Sequence, residues 1–343
     1  MERKDGEGSM GTLVDRYGRK HDYLRISVTD RCNLRCVYCM GPDGVEPLSH
    51  RDILSYEEIL KVVRVAAGLG ISKIRITGGE PLVRINLPHL IEGINSITGV
   101  EDLALTTNGI FLPQFARELK EAGLNRVNVS LDSLDPGLYR KITRGGNIEQ
   151  ALEGVEAAIH HGLEPVKINT VLLKGYNDHE ILDFFALAHD RNIAVRFIEY
   201  MPIGERSIGF DGHYLPLSII KETALLAGYE LQPLDHPLSA GPAEYFSLPG
   251  RRGSIGLIHS ISKHFCSSCN RLRLTADGRL KSCLYWQEEE QVRPILDHPR
   301  KLEALLKKVV LQKHKEHLMG NENAELPAPP DTATMRTMSQ TGG

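Results

Sequence analysis

No apolar run in this 343-residue chain approaches the roughly 20 residues that a helix needs to cross a bilayer. The opening residues, Met1 to Gly11, are charged and glycine-rich and lack the apolar core of an export signal. Neither charge dominates: 41 basic residues face 44 acidic ones, which argues against a general polyanion-binding surface. Any site for an anion must therefore be a local concentration of Arg and Lys. The P-loop and H-E-x-x-H signatures are both missing, which disfavours ordinary nucleotide triphosphatases and zinc proteases. One G-x-G-x-x-G match, Gly6 to Gly11, has no strand before it and is set aside. A soluble, cytoplasmic protein with no membrane or nucleic-acid partner is expected.

Cysteine is scarce, and its six copies fall into two triplets. The first is Cys32-Asn-Leu-Arg-Cys36-Val-Tyr-Cys39; the second is Cys266, Cys269 and Cys283. Without an export signal, and in a chain too large for a stapled scaffold, clustered thiols read as metal ligands and not as disulfides. Structural zinc takes four protein ligands. The first run offers three and no obvious local fourth, as suits a cubane that keeps one iron open to a small molecule. The second triplet, with His259 or His264, could also make a Cys3His zinc site.

From Tyr23 to about Tyr200, β-rich runs alternate with amphipathic stretches. Strands are expected at 23–29, 73–77, 102–106, 126–130, 165–171 and 194–199. Helices are expected from a capping box at Ser55-Tyr-Glu-Glu58, and near 88–97, 113–122, 148–161 and 178–190. This alternation predicts an α/β fold with a parallel sheet, as an incomplete (β/α)6 TIM-like barrel. In such barrels chemistry sits on loops after the strands. Here those loops hold the first triplet, Gly78-Gly79-Glu80-Pro81, Thr106-Thr107-Asn108-Gly109 and Ser130-Leu131-Asp132. A C-terminal cluster-binding extension follows, with a helix at 215–227 and a lysine-rich helix at 302–317. The expected division is a flexible tail at 1–22, the barrel at 23–204, the extension at 205–319 and a second flexible tail at 320–343, polar and proline-rich.

Cys-x-x-x-Cys-x-aromatic-Cys after the first strand, with Gly-Gly-Glu-Pro after the second, resembles the radical S-adenosylmethionine (SAM) superfamily. The second triplet, with Asn270-Arg271-Leu272-Arg273 after Cys269 and Gly342-Gly343 at the end, is similar to the GTP 3′,8-cyclase family of molybdenum cofactor biosynthesis. That resemblance implies conversion of GTP to 3′,8-cyclo-7,8-dihydro-GTP, with SAM and two 4Fe–4S clusters held by Cys32, Cys36 and Cys39 and by Cys266, Cys269 and Cys283. A 5′-deoxyadenosyl radical would take hydrogen from ribose C3′, and C3′ would then add to guanine C8. No side chain is implied as a catalytic acid or base.

The family's SAM contacts match Tyr38, Gly79, Ser130 and Met201, although Met201 alone could equally be core. Its GTP contacts match Arg25, Arg75, Thr106, Lys167 and the run Arg271, Leu272, Arg273; Arg196 is a further candidate. Cations inside apolar strands are costly unless they face a polar cavity, while ordinary salt bridging or an outward face is the plain alternative. The terminal Gly342 and Gly343 would thread into the active site, or be activated as in sulfur carriers. By the same resemblance, the product passes to cyclic pyranopterin monophosphate synthase, and an electron donor and a homodimer are expected. The rival readings are a peptide-modifying radical SAM enzyme with an auxiliary cluster and a zinc-binding interaction protein.

Overall fold

The structure, a computed structural model, describes residues 12–204, 208–234, 241–248, 250, 252–320 and 333–342. Its centre is a run of eight strands: β1 (Tyr23–Ser27), β2 (Lys73–Thr77), β3 (Asp102–Thr107), β4 (Arg126–Ser130), β5 (Val166–Leu172), β6 (Ile193–Glu199), β7 (Ser254–Ile258) and β8 (Arg271–Leu274). Their spatial order is β8-β1-β2-β3-β4-β5-β6-β7, and every pairing is parallel. The six barrel strands expected from the sequence are therefore extended by one strand at each edge, both from the C-terminal segment. Antiparallel strands finish the sheet: Arg279–Lys281 and then Glu290–Gln291 beyond β8, and Glu244–Ser247 and then Gln232–Leu234 beyond β7.

Helices α1 (Tyr56–Gly68), α2 (Leu87–Asn95), α3 (Leu112–Glu121), α4 (Pro136–Thr143), α5 (Ile148–His160) and α6 (Ile181–Asp190) alternate with the strands. At α1 the capping box forms in both directions: Glu58 N–H donates to Ser55 Oγ at 3.2 Å, and Ser55 N–H to Glu58 Oε2 at 2.8 Å. Helix α4 is absent from the sequence reading, yet Asp135 caps it by accepting from Leu138 N–H at 2.6 Å, with Pro136 in its first turn.

Side chains alternate across each strand. Leu24 and Ile26, Ile74 and Ile76, Leu103 and Leu105, and Val127 and Val129 all join one buried core with the helices. The opposite face carries Tyr23, Arg25, Lys73, Arg75, Thr106 and Arg126, and lines a cavity.

Both expected tails need correction over their described parts. Residues 12–22 include an antiparallel pair, Leu13–Val14 with Lys20–His21. Arg19 extends from it to donate to the carbonyls of Cys266 at 2.7 Å, His314 at 2.7 Å and Lys315 at 2.8 Å. Near the other terminus, Ala333 bridges to Trp286, and Arg336 pairs with Asp277 and Glu289, each at 2.8 Å. The short helix Met338–Thr341 follows, opened by its own capping box at Thr337. Composition marked both segments as polar; the Arg19 and Arg336 contacts are long-range and leave no local pattern. The lysine-rich helix is also shorter than expected, running over Pro299–Leu311.

At Gly154 a helix packs closely on a loop. The glycine lies buried in α5, where an added Cβ would collide with the backbone carbonyl of Gly109. In an open helix, Gly→Ala gains about 0.5–1 kcal/mol. Gly154→Ala should instead destabilise the protein by about 1–3 kcal/mol; an unchanged or raised midpoint in urea unfolding would contradict this packing.

Candidate active site

The two cysteine triplets stand at opposite ends of the strands, as the register shows. Cys32, Cys36 and Cys39 follow the C-terminal end of β1. Cys266 and Cys269 precede β8, whose first residue Arg271 aligns with Tyr23, the first of β1. Cys283 follows the antiparallel strand Arg279–Lys281, which runs back along β8 with Lys281 opposite Arg273. The second triplet therefore gathers at the N-terminal end of the strands. All six cysteines are free and line one cavity. Disulfides are thus absent.

Each triplet presents three thiol sulfurs to the cavity, a soft donor set of the kind that holds iron–sulfur clusters. Among the described residues, no group of three or more His, Cys, Asp or Glu side chains is placed to hold one metal ion. The two candidate fourth ligands for zinc face other partners: His259 lies 3.8 Å from Glu199 and 3.7 Å from Glu244, and His264 lies 3.5 Å from Glu316. Burial pushes the Cys32 thiol up to about 11 and the Cys39 thiol up to about 12, and holds the Cys36 thiol well above its usual value. Cys266 rises to about 11 for the same reason. Burial also acts on Cys269, but Lys313 and Arg271 outweigh it and bring that thiol to about 7. Such buried thiols ionise when a cationic centre takes their protons' place.

The first triplet is braced from α4: Arg35 N–H donates to Thr143 O at 3.0 Å and Val37 N–H to Ile142 O at 2.9 Å. Beside it, Gly79 passes so close to the preceding loop that a Cβ would strike the carbonyl of Arg31. Glu80, for which the sequence suggested no role, ties its own loop to the end of β3. Its carboxylate accepts from Leu82 N–H at 3.0 Å, Thr107 Oγ1 at 2.7 Å and Asn108 N–H at 2.7 Å. Asp132 does the same for Tyr38, whose hydroxyl donates to it at 2.7 Å while Val171 N–H donates to the other oxygen at 2.9 Å. Tyr38, Gly79, Ser130 and Met201 all line the cavity, and Met201 packs, like Cys283, against the cluster of Ile203, Tyr285, Trp286 and Met319.

Between the triplets lies a layer of cations. Arg273, Arg25 and Arg75 stand in register on β8, β1 and β2, and Ala104 continues the row to Arg126 on β4. Arg75 and Arg271 lie 5.6 and 6.0 Å from the centre of the Tyr23 ring. Arg126 pairs with Asp102, and Arg196 donates to Asn169 Oδ1 at 2.9 and 2.5 Å. The buried Nε of Arg75 has no hydrogen-bond partner. Burial and the neighbouring guanidinium groups push Arg25 well down, and bring Arg273 and Arg126 to about 10. Burial raises the Tyr23 hydroxyl, yet Arg75, Arg25 and Arg271 pull it down to about 8. The cavity wall between the triplets is therefore a local concentration of positive charge.

Thr106, Arg25, Arg75, Arg271 and Arg273 line the cavity as the sequence suggested. Lys167 lies on the inward face of β5 and is buried, but its amine points over the Tyr245 ring at 5.7 Å and not into the open cavity. Leu272 is a correction. It is fully buried in the apolar core, because alternation turns it away from Arg271 and Arg273. Gly342 adopts φ +70°, with its carbonyl accepting from Arg273 Nη1 at 2.7 Å. A Cβ there would come within 2.7 Å of Thr77. Gly343 lies outside the described residues. Arg126 was missed, although its parity with Asn128 and Ser130 on one strand would have found it.

Two family models match the chain: the Radical SAM superfamily over residues 26–188 and Molybdenum Cofactor Synthesis C over residues 193–319. A GTP 3′,8-cyclase of Listeria monocytogenes is 48% identical, covering 97% of this chain and all of the relative. One of Petrotoga mobilis is 51% identical over 82% of this chain and 86% of the relative. Among solved structures, Streptococcus suis SuiB bound to S-adenosylmethionine superposes with a TM-score of 0.60 at 14% identity, covering 82% of this chain and 66% of SuiB. AnSMEcpe with bound AdoMet gives 0.57 at 16% identity, covering 86% of this chain and 81% of that one. These two likenesses carry the fold alone.

The cation layer has a measurable signature. Burial, then Arg196, Arg126 and Arg75, lower the Lys167 amine from 10.5 to about 7. Between those values the unfolded chain holds a proton that the folded chain lacks, so this residue makes stability rise with pH from about 7 towards 10. Urea unfolding of the metal-free chain at pH 7 and pH 9 should show that rise reduced in Lys167→Met; equal slopes would contradict the placement.

Proposed function

The chain belongs to the GTP 3′,8-cyclase family, within the radical SAM superfamily, and from this we propose that the barrel's cation layer holds a nucleotide triphosphate between its two cysteine triplets. The enzyme converts GTP to (8S)-3′,8-cyclo-7,8-dihydroguanosine 5′-triphosphate in molybdenum cofactor biosynthesis, using SAM and two 4Fe–4S clusters. The observation that carries the site reading is the row Arg273–Arg25–Arg75 at the level between the triplets. Guanidinium forks suit phosphate oxygens through charge-assisted, bidentate bonds.

In this reading Cys32, Cys36 and Cys39 hold the cluster that serves SAM, and Cys266, Cys269 and Cys283 hold the one that serves the guanine. When bound, the first cluster supplies the electron that breaks a carbon–sulfur bond of SAM. The protein's work is positioning. Asp132 orients Tyr38 against the adenine, Gly79 offers backbone to the methionine amino group, and Ser130 and Met201 complete the pocket. Arg25, Arg75, Arg271 and Arg273 take the triphosphate, with Thr106 beside them. Lys167 acts through the field it shares with Arg196 and Arg126. Gly342, already on Arg273, brings the tail into contact with the same row; insertion, not chemical activation, is its role.

The remaining family expectations extend this reading. They are transfer of the product to cyclic pyranopterin monophosphate synthase, an electron donor, a homodimer and a cytoplasmic setting. Among the described residues no helix is long and apolar enough to cross a membrane. The proposed division keeps 23–204 as the barrel and 205–319 as the extension, with 320–343 as the segment that reaches the site.

Anaerobic incubation with GTP, SAM and reductant, followed by mass spectrometry, tests the whole reading: the cyclised triphosphate and 5′-deoxyadenosine should appear together. Arg75→Met should weaken GTP binding about 10- to 100-fold, the worth of one charge-assisted hydrogen-bonding group, with SAM binding unchanged. GTP affinity equal to wild type would remove the triphosphate from this row. Cys36→Ala should abolish SAM cleavage and lose about four of eight irons; cleavage at the normal rate would refute the first cluster's assignment.

A further inference from the structure

Lys313 is a buried lysine that none of the roles above employs. It lies just past the helix Pro299–Leu311 and is 4% exposed. Its N–H donates to Val310 O at 3.1 Å, and Arg19 grips the next two carbonyls, those of His314 and Lys315. The backbone that carries Lys313 is therefore held from both the helix and the N-terminal hairpin. Its amine donates to Cys269 Sγ at 3.3 Å and to Arg271 O at 2.7 Å. One amine thus joins a sulfur of the second triplet to the first residue of β8.

Resting on the reading of that triplet as a cluster site, we propose that Lys313 is a positioning residue that sets the second cluster's reduction potential through its hydrogen bond to the Cys269 sulfur. A donor on a ligating sulfur withdraws electron density and favours the reduced cluster, which raises the potential. Arg19 serves the same end indirectly, by holding the carbonyls of Cys266 and of the two residues after Lys313. The Arg271 carbonyl completes the geometry. It fixes the amine against β8, so the donor cannot swing away from the sulfur without breaking a 2.7 Å bond.

The test uses the full chain as wild type, Lys313→Met, Lys313→Gln and Lys313→Arg, each reconstituted anaerobically and counted for iron and sulfide. Potentiometric titration followed by electron paramagnetic resonance then reads each cluster. The second is identified as the one whose signal responds to GTP and the first as the one that responds to SAM. All four proteins should hold about eight irons. The GTP-responsive midpoint should be most negative in Lys313→Met, intermediate in Lys313→Gln and nearest wild type in Lys313→Arg, with the SAM-responsive midpoint unmoved. An unmoved GTP-responsive midpoint in Lys313→Met overturns the proposal, and so does loss of that cluster's iron, which would make Lys313 a structural prop. Should Lys313→Met fail to fold, Lys313→Gln decides: a more negative midpoint supports the proposal, and the wild-type midpoint overturns it. Only about four irons in wild type would instead overturn the cluster reading of the second triplet, and this inference with it.

Discussion

The whole arrangement depends on the two-residue period of the strand. Each strand must give its helices Leu, Ile or Val while giving the cavity Arg, Lys, Asn or Thr, and the pleat separates these at every step. Parallel strands inside α/β proteins ordinarily read as continuous apolar runs, because both faces are buried. Here Tyr23-Leu-Arg-Ile-Ser27 and Arg126-Val-Asn-Val-Ser130 alternate, because the second face is a charged chamber. A one-residue slip would drive Arg25 or Arg75 into the helix layer and turn Ile or Leu towards the cavity. The register is held as firmly by what must not enter the core as by what must.

That chamber concentrates positive charge on one wall. Among the described residues, Asp102 partners Arg126, Asn169 partners Arg196, the Tyr23 ring lies beside Arg75 and Arg271, and the Gly342 carbonyl accepts from Arg273. Mutual repulsion of this kind lowers the cost of accepting a highly charged ligand, since binding relieves it. The axial order is thiols at one end, cations between and thiols at the other.

Much of this was legible in the chain. The strands Lys73–Thr77 and Arg126–Ser130 match their expected bounds, and the polar loops after the strands do gather at one end. The rest was hidden for definite reasons. Helix α4 is only eight residues long, so its apolar period is brief and its real signal is the Asp135-Pro136 start. Strands β7 and β8 lie among prolines, glycines and cysteines, and only their pairing with β6 and β1 makes them part of the barrel. Leu272 was read with its neighbours as a motif, where the pleat splits them onto two faces. Glu80 and Asp132 were visible as polar loop residues, yet their work is to hold backbone amides and hydroxyls from segments distant in sequence.

The adjacency of β8 and β1 has a consequence for how the molecule comes into being. Of the eight parallel strands, the first to leave the ribosome lies beside the last, so Tyr23 waits for Arg271 through almost the whole of translation. Until then β1 is a bare sheet edge, open to mispairing. The loop carrying Cys32, Cys36 and Cys39 can be braced as soon as α4 exists. The Cys266 loop, which Arg19 can hold at the Cys266 carbonyl, gains its remaining contacts with Lys313 and with the carbonyls that Arg19 also grips only when residues 313–315 emerge. The contacts around the two triplets therefore form in order along the chain, those of the first before those of the second.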